Sequence, residues 1–339
     1  MSNLGFGKHF SPWMTSMAWS SVSGWSDLKV GPLEPIPLHP AAGVLQYSQS
    51  IFEGMKAFRH PDGAVRIFRP DFHRLRFEQS AQRVCLPHLP EGAFEEAVLQ
   101  AVRANLDSVP IGEGEALYLR PTLIATEGFL GVRPAGECLF YIVCSPVGSY
   151  FSKGAQGLKI LVETHYSRAA RGGIGAAKAG ANYVASLLVA ELAKQQGFDQ
   201  VLWTDTATHT MVEEVGTMNV FFVVGPDKKV ITPPLSDTLL NGGTRDAALT
   251  MLRRQGLEVV ERPVTLLELK ELHQAGQLLE CFGTGTAAVV SPIRELQDSD
   301  ATLNIQLPDD FSVAQRLRQD ITDVQYGRSE DPFHWMVSS

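Results

Sequence analysis

Apolar residues recur at helical spacing in two early stretches. Over 91–106, Phe94, Val98, Ala101, Val102 and Leu106 fall on one face and predict a helix. Residues 71–85 read as another, with Phe72, Leu75 and Val84 on its inner side. Shorter patterns predict strands. Runs at 54–59 and 64–69 flank the turn His60-Pro61-Asp62-Gly63, a hairpin signal. Residues 117–120 alternate, and 138–144 is a continuous apolar run of the kind buried on both faces. Further strands are expected at 158–163, 200–204, 209–214, 219–224, 229–232, 278–282 and 287–290. Asn241-Gly242-Gly243-Thr244 opens a helix to about Arg254, while Thr265-x-x-Glu268 and Ser312-x-x-Gln315 are capping-box patterns for two more. The irregular mixture, with no βαβ rhythm, predicts an α+β fold in two domains. We place the first at 1–147, a linker at 148–157 where composition changes, and the second at 158–339.

The most unusual stretch is 171–183, where Lys178 stands amid glycine and alanine, just before an almost wholly apolar run at 184–194. A helix apolar on every side is expected to be buried, with Gly197 as its stop. Lys178 would then sit at the mouth of the core, where a desolvated amine has a lowered pKa and attacks carbonyls. The small residues before it would leave room for a flat ring.

Composition narrows the chemistry. The chain has 339 residues, 44% hydrophobic and 19% charged, which is ordinary for a folded enzyme. A net charge of -8 without a basic block disfavours nucleic acid. The four cysteines form no C-x-x-C pair and read as free thiols in a reducing compartment. The nine histidines show no metal-ligand spacing. With neither a signal peptide nor a membrane span evident, the expectation is a cytoplasmic protein.

Three turns rich in glycine and threonine, at 171–175, 241–244 and 283–286, suit anion binding by backbone N–H groups. The nucleotide P-loop, the dinucleotide fingerprint and the serine-hydrolase elbow are all missing. Glu213 and Glu214 precede an apolar strand; alternation lets one of them face an interior site and sends the other to solvent. Tyr183 follows Lys178 by five residues. Arg76, with Arg74 as its rival, offers a guanidinium fork. Tyr118 and Arg120 share one strand face and meet either a substrate carboxylate or only each other. One cofactor uses a lysine, a phosphate cradle, an acid at a ring nitrogen and a donor at a phenolic oxygen: pyridoxal phosphate.

Nearly the whole chain resembles the branched-chain amino-acid aminotransferases, a class IV, fold-type IV group of pyridoxal-phosphate enzymes. The resemblance rests on Phe6-Gly7-Lys8, residues 38–41, the phrase F-E-G-M-K-A-F at 52–58, Leu117 to Pro121, K-A-G-A-N-Y at 178–183, E-V-G-T-M-N at 214–219 and residues 282–287. These phrases look closest to a subgroup that includes the animal enzymes. The resemblance implies a D-amino-acid-aminotransferase-like fold with a smaller N-terminal domain and a larger C-terminal one carrying Lys178. It implies that Lys178 bonds the cofactor aldehyde and shuttles the substrate proton. Glu214 would pair with the ring nitrogen and Tyr183 with the phenolic oxygen. Arg76, Thr217, Gly243, Thr244 and Thr286 would hold the cofactor. Thr286, Ala287 and Tyr118 would take the substrate α-carboxylate, and Arg120 the glutamate side chain. Phe6, Phe52 and Tyr150 would line the apolar pocket, with Tyr47 and Val132 entering from the second subunit of a homodimer. The implied reaction moves the amino group of L-leucine, L-isoleucine or L-valine to 2-oxoglutarate. Some relatives carry a redox C-x-x-C after the carboxylate turn; Ala288 and Ser291 stand there instead.

Overall fold

A computed structural model describes residues 4–148 and 157–339. The chain divides into two compact units. The first comprises Met1–Tyr150 together with Ala177–Ala181 and Asp323–Ser339; the second comprises Phe151–Ala176 and Asn182–Thr322. Lys178 therefore belongs to the first unit, whereas a linear division at 148–157 assigns it to the second.

The first unit begins with β1 (Trp13–Ser20), β2 (Gly24–Trp25), β3 (Lys29–Pro32) and the short helix α1 (Gly43–Tyr47). Then come β4 (Ser50–Phe52), β5 (Met55–Arg59), β6 (Val65–Phe68), α2 (Pro70–Arg83), α3 (Ala93–Ala104), β7 (Ala116–Ala125) and β8 (Glu137–Val147). β5 and β6 form the expected hairpin. The sheet runs from the C-terminal strand Met336–Ser338 through β6, β5, β7, β8 and β1 to β2, with β3 on β1 and β4 on β7. α3 buries Phe94, Val98, Ala101 and Val102 as its spacing predicts, and Phe77, Phe94 and Phe140 pack together beneath it. α2 departs from expectation. Its buried positions include His73, Arg76, Phe77 and Ser80, whereas Leu75 is exposed. A polar inner face is stable there because it meets a buried carboxylate, Glu53, rather than an apolar wall.

The second unit contains β9 (Leu158–Val162), α4 (Gly180–Ala185) from Asn182 onward, α5 (Leu187–Gln195), β10 (Gln200–Thr204), β11 (Val212–Val215), β12 (Met218–Val224) and β13 (Lys229–Thr232). It continues with α6 (Gly243–Arg254), β14 (Val259–Glu261), α7 (Leu266–Gln274), β15 (Leu278–Gly285), β16 (Val289–Asp298), β17 (Asn304–Gln306) and α8 (Ser312–Gln325) as far as Thr322. Its sheet runs β11-β10-β9-β16-β15-β12-β13-β14, and β11 also pairs with β12. The extra pairing closes β11, β10, β9, β16, β15 and β12 into a ring. Alternate residues of these strands, among them Ile160, Leu202, Val220, Phe222, Cys281 and Ile293, form one apolar core. The opposite face of β9 and β10 packs Leu161, Val201 and Trp203 against Val189 and Ala193 of α5.

Three expectations are corrected here. The apolar run after Lys178 is two short helices, broken at Ser186, and its face carrying Val184, Leu187 and Leu188 is exposed rather than buried. Residues 283–285 continue β15, so the turn lies at 286–288 instead of 283–286. Ser312 does not cap α8 in a box with Gln315; the buried carboxylate of Glu280 accepts the N–H groups of Val313 and Ala314 at 2.9 and 3.0 Å. The cap at Thr265 forms as expected, accepting from the Glu268 N–H at 3.0 Å.

Candidate active site

In the first unit the segment around Lys178 is pinned to the strand and helix that carry the polar cluster. The Phe52 N–H donates to the Lys178 carbonyl at 3.0 Å, and the Lys178 N–H donates to Ser80 Oγ at 2.9 Å. Ala179 bridges to Ile51. Lys178 itself is half-buried, with Nζ 4.9 Å from the centre of the Phe52 ring. The Arg120 guanidinium lies 4.5 Å from the same ring centre and donates to Tyr118 Oη at 2.8 Å. The pair expected on one face of β7 is thus a direct contact. Phe6 meets Tyr118 edge-on at 4.9 Å. Gly54 has a steric reason to be glycine: a Cβ there would stand 2.1 Å from Tyr118 Oη.

Beside Lys178's anchor, Arg76 makes a two-pronged contact with Glu53, Nε to Oε1 and Nη2 to Oε2, both at 2.7 Å. His73 Nδ1 approaches Glu53 Oε2 at 2.6 Å. Burial alone would raise the Glu53 carboxyl, but Arg76 and His73 more than offset it and hold the group well below the usual carboxylate range. Burial pushes His73 down; Glu53 opposes this, while Arg76 and Lys178 reinforce it. Arg74, the rival to Arg76, points elsewhere, to Glu78 and Glu95. Glu53 and His73 are residues that spacing did not single out. Only their place in the F-E-G-M phrase and on α2 could have hinted at them.

The second unit holds the acid. Both Glu213 and Glu214 are buried, so the expectation that one meets solvent is wrong. Both faces of β11 are covered, and each carboxylate has its own partners. Burial raises the Glu213 carboxyl above its ordinary value despite a hydrogen bond from Thr238 Oγ1 at 2.6 Å. Glu214 Oε1 accepts the Leu240 N–H at 2.6 Å, and Oε2 lies 3.1 Å from Arg168 Nε. Across the β11–β12 pair Glu214 stands opposite Asn219, whose Nδ2 donates to the Leu240 carbonyl at 2.9 Å. The two side chains grip both polar groups of Leu240 and so fix the approach to α6. A Cβ on Gly242 would stand 2.2 Å from Asn219 Oδ1. α6 then begins with buried Gly243 and Thr244, and no side chain caps it. Thr217 is exposed in the tight turn between β11 and β12; Thr286 and Ala287 are half-buried in the turn after β15. Tyr183 is half-buried on α4.

A Cβ on Gly175 would meet Ala169 Cβ at 2.6 Å and the Thr238 backbone at 2.8 Å, so this glycine permits close packing of the loop. The loop is further held by Ala176 N–H to the Asp237 carbonyl at 3.0 Å and Gly172 N–H to Asp237 Oδ2 at 2.6 Å.

Tyr47 is exposed, its hydroxyl donating to the Leu130 carbonyl, and Val132 is 87% exposed. Tyr150 lies outside the described residues. No group of metal-ligating side chains occurs among the described residues.

The donor set fits pyridoxal phosphate on two observations. The start of the twelve-residue α6, with Gly242 held where a Cβ would fill the space, presents a helix N-terminus of the type that takes phosphate. Glu214 is a buried carboxylate fixed in orientation from two sides, as an acid facing a protonated ring nitrogen requires.

Residues 50–296 match the amino-transferase class IV family. A probable branched-chain-amino-acid aminotransferase of Staphylococcus epidermidis is 42% identical over 337 residues, 99% of this chain and 93% of that protein. Branched-chain-amino-acid aminotransferase 2 of Bacillus subtilis is 40% identical, covering 98% and 92%. Among solved structures, the T.th. branched-chain amino acid aminotransferase, complexed with N-(5'-phosphopyridoxyl)-L-glutamate, superposes with a TM-score of 0.73 at 26% identity, covering 95% of this chain and 97% of that one. The α+β architecture described above is the fold these proteins share. This chain belongs to the class IV aminotransferases.

Proposed function

We propose that the protein is a pyridoxal-phosphate-dependent branched-chain-amino-acid transaminase. It transfers the amino group of L-leucine, L-isoleucine or L-valine to 2-oxoglutarate, in synthesis or breakdown of these amino acids. The observation that carries the reading is similarity of about 40% over nearly the whole chain to branched-chain aminotransferases, on a fold whose T.th. member binds a phosphopyridoxyl-glutamate.

Bound pyridoxal phosphate supplies the electron sink for the pair left on the substrate Cα when its proton departs. The chain's residues do the rest. Lys178 Nζ would hold the cofactor at its aldehyde and, as a free amine, would take the substrate Cα proton. Glu214 holds the ring nitrogen in its protonated form, and Tyr183 donates to the phenolic oxygen. Arg76, Thr217, Gly243, Thr244 and Thr286 hold the cofactor. Glu53 supports Arg76 by fixing its guanidinium plane. Tyr118, Thr286 and Ala287 take the α-carboxylate, and Arg120 the second carboxylate of glutamate. Phe6 and Phe52 would meet the apolar side chain of the substrate, with Tyr47 and Val132 contributed by a second copy. Each buried CH₂ is worth roughly 0.8 kcal/mol, so the three branched substrates are used with modest discrimination.

The working unit in this reading is a cytoplasmic homodimer. Exposed apolar residues support the dimer: Val184, Leu187 and Leu188 in one unit, Leu130 and Val132 in the other. No helix among the described residues is long and apolar enough to cross a membrane.

The assay supplies the cofactor, 2-oxoglutarate and one amino acid at a time, and measures L- and D-glutamate separately. Glutamate is expected with L-leucine, L-isoleucine and L-valine. Turnover of D-alanine with none of these three would replace the reading with a D-amino-acid specificity.

A further inference from the structure

We propose that Arg168 is a positioning residue for Glu214, and that through it Arg168 sets how firmly the ring of the cofactor is held. The inference rests on the reading that Glu214 serves the ring nitrogen.

Arg168 lies in the loop after β9, ten residues before Lys178, and no spacing pattern in the sequence marks it. Its side chain is 8% exposed, and that of Glu214 is 4% exposed. Nε stands 3.1 Å from Glu214 Oε2, but its N–H is not aligned for a hydrogen bond, so the contact is one of charge. Nη2 donates to the Thr238 carbonyl at 2.5 Å and to the Gly175 carbonyl at 3.2 Å. The guanidinium plane is thereby fixed by two backbone groups before it meets the acid. Glu214 is held from its other oxygen by the Leu240 N–H. A carboxylate gripped on both oxygens keeps one orientation.

Arg168 also joins three segments that the reading uses separately. Gly175 begins the last turn of chain before Lys178, Thr238 leads into the α6 phosphate cradle, and Glu214 lies within β11. A lysine has one donor head, with no fork to serve both carbonyls and the acid at once.

The test is a double-substitution cycle on the full-length protein. Apoprotein is titrated with pyridoxal phosphate, and the dissociation constant and visible absorption maximum are recorded. Arg168→Gln is expected to weaken binding about tenfold, the scale of one lost charged contact, and to move the maximum. In a Glu214→Gln background the same change should cost less than about twofold, because its effect runs through the acid. Arg168→Lys should restore part of the affinity. If Arg168→Gln does not accumulate as folded protein, the cycle is run with Arg168→Lys. Equal losses in both backgrounds would make Arg168 a loop scaffold and overturn the proposal, as would no loss in either. A wild-type apoprotein that binds no pyridoxal phosphate would instead remove the functional reading itself.

Discussion

Glu53 is the residue on which the first unit's polar cluster turns. It is fully buried and neutralises Arg76, which lies on α2 with 5% exposure. Replacing Glu53 by Gln leaves a buried guanidinium without its counter-charge. We expect a loss of about 3–5 kcal/mol, read by urea unfolding of the apoprotein. Unchanged stability would show that the pair is not holding Arg76. The pH dependence follows from the sign of the shift. The unfolded carboxyl takes up a proton near its ordinary value of 4.5, while the folded one resists to far lower pH. The stabilisation is therefore present above pH 4.5 and is lost as pH falls below it. There wild type should lose stability faster than Glu53→Gln, by up to about 1.4 kcal/mol per pH unit. Gly54, next along, gives a test on the substrate side. Gly54→Ala must displace Tyr118, so KM for leucine should rise with little change in melting temperature; an unchanged KM would remove Tyr118 from the carboxylate site. The sequence marked Lys178, Glu214, Tyr118 and Arg120 because each sits in a short phrase. It did not mark Glu53, His73 or Arg168. Their partners are 20 or more positions away, and such pairings leave no local pattern.

At the scale of the element, local signals were the readable ones. Thr265 caps α7 because cap and donor are three residues apart. α8 takes its cap from Glu280, more than thirty residues upstream, which no window along the chain reveals. Glu280→Gln should cost about 1 kcal/mol, since a neutral amide oxygen weakens both the hydrogen bonds and the helix-dipole contact. Equal melting curves for the two proteins would contradict this. The start of α6 shows the same mixture. Its glycines were read from the sequence as a turn suited to phosphate, whereas the packing reason for Gly242, the approach of Asn219, left no sequence signal. Gly242→Ala must move Asn219, which clips Leu240, and should weaken pyridoxal phosphate binding by about tenfold in an apoprotein titration. Unaltered affinity would place the phosphate elsewhere. The helix pattern after Lys178 was read as buried because it is apolar all round; the structure leaves Leu187 and Leu188 at the surface.

For the molecule as a whole, those two leucines matter most. With Val184 they make an apolar face that a monomer would expose to water. If the face is covered by a second copy, Leu188→Arg should shift the sedimentation coefficient toward monomer and lower turnover; a monomeric wild type would end the dimer reading. The α+β class was readable from the irregular order of short strands and helices. The ring of β11, β10, β9, β16, β15 and β12 was not, because closure depends on the β11–β12 pairing and on two parallel neighbours of β9. Register of that kind is set by three-dimensional packing.

The account stands on Lys178 as the residue that bonds the cofactor. Borohydride reduction of the cofactor-loaded protein, followed by peptide mapping, tests this directly. A phosphopyridoxyl group is expected on the peptide that contains Lys178 and on no other. Its attachment to a different lysine, or to none, would contradict the account.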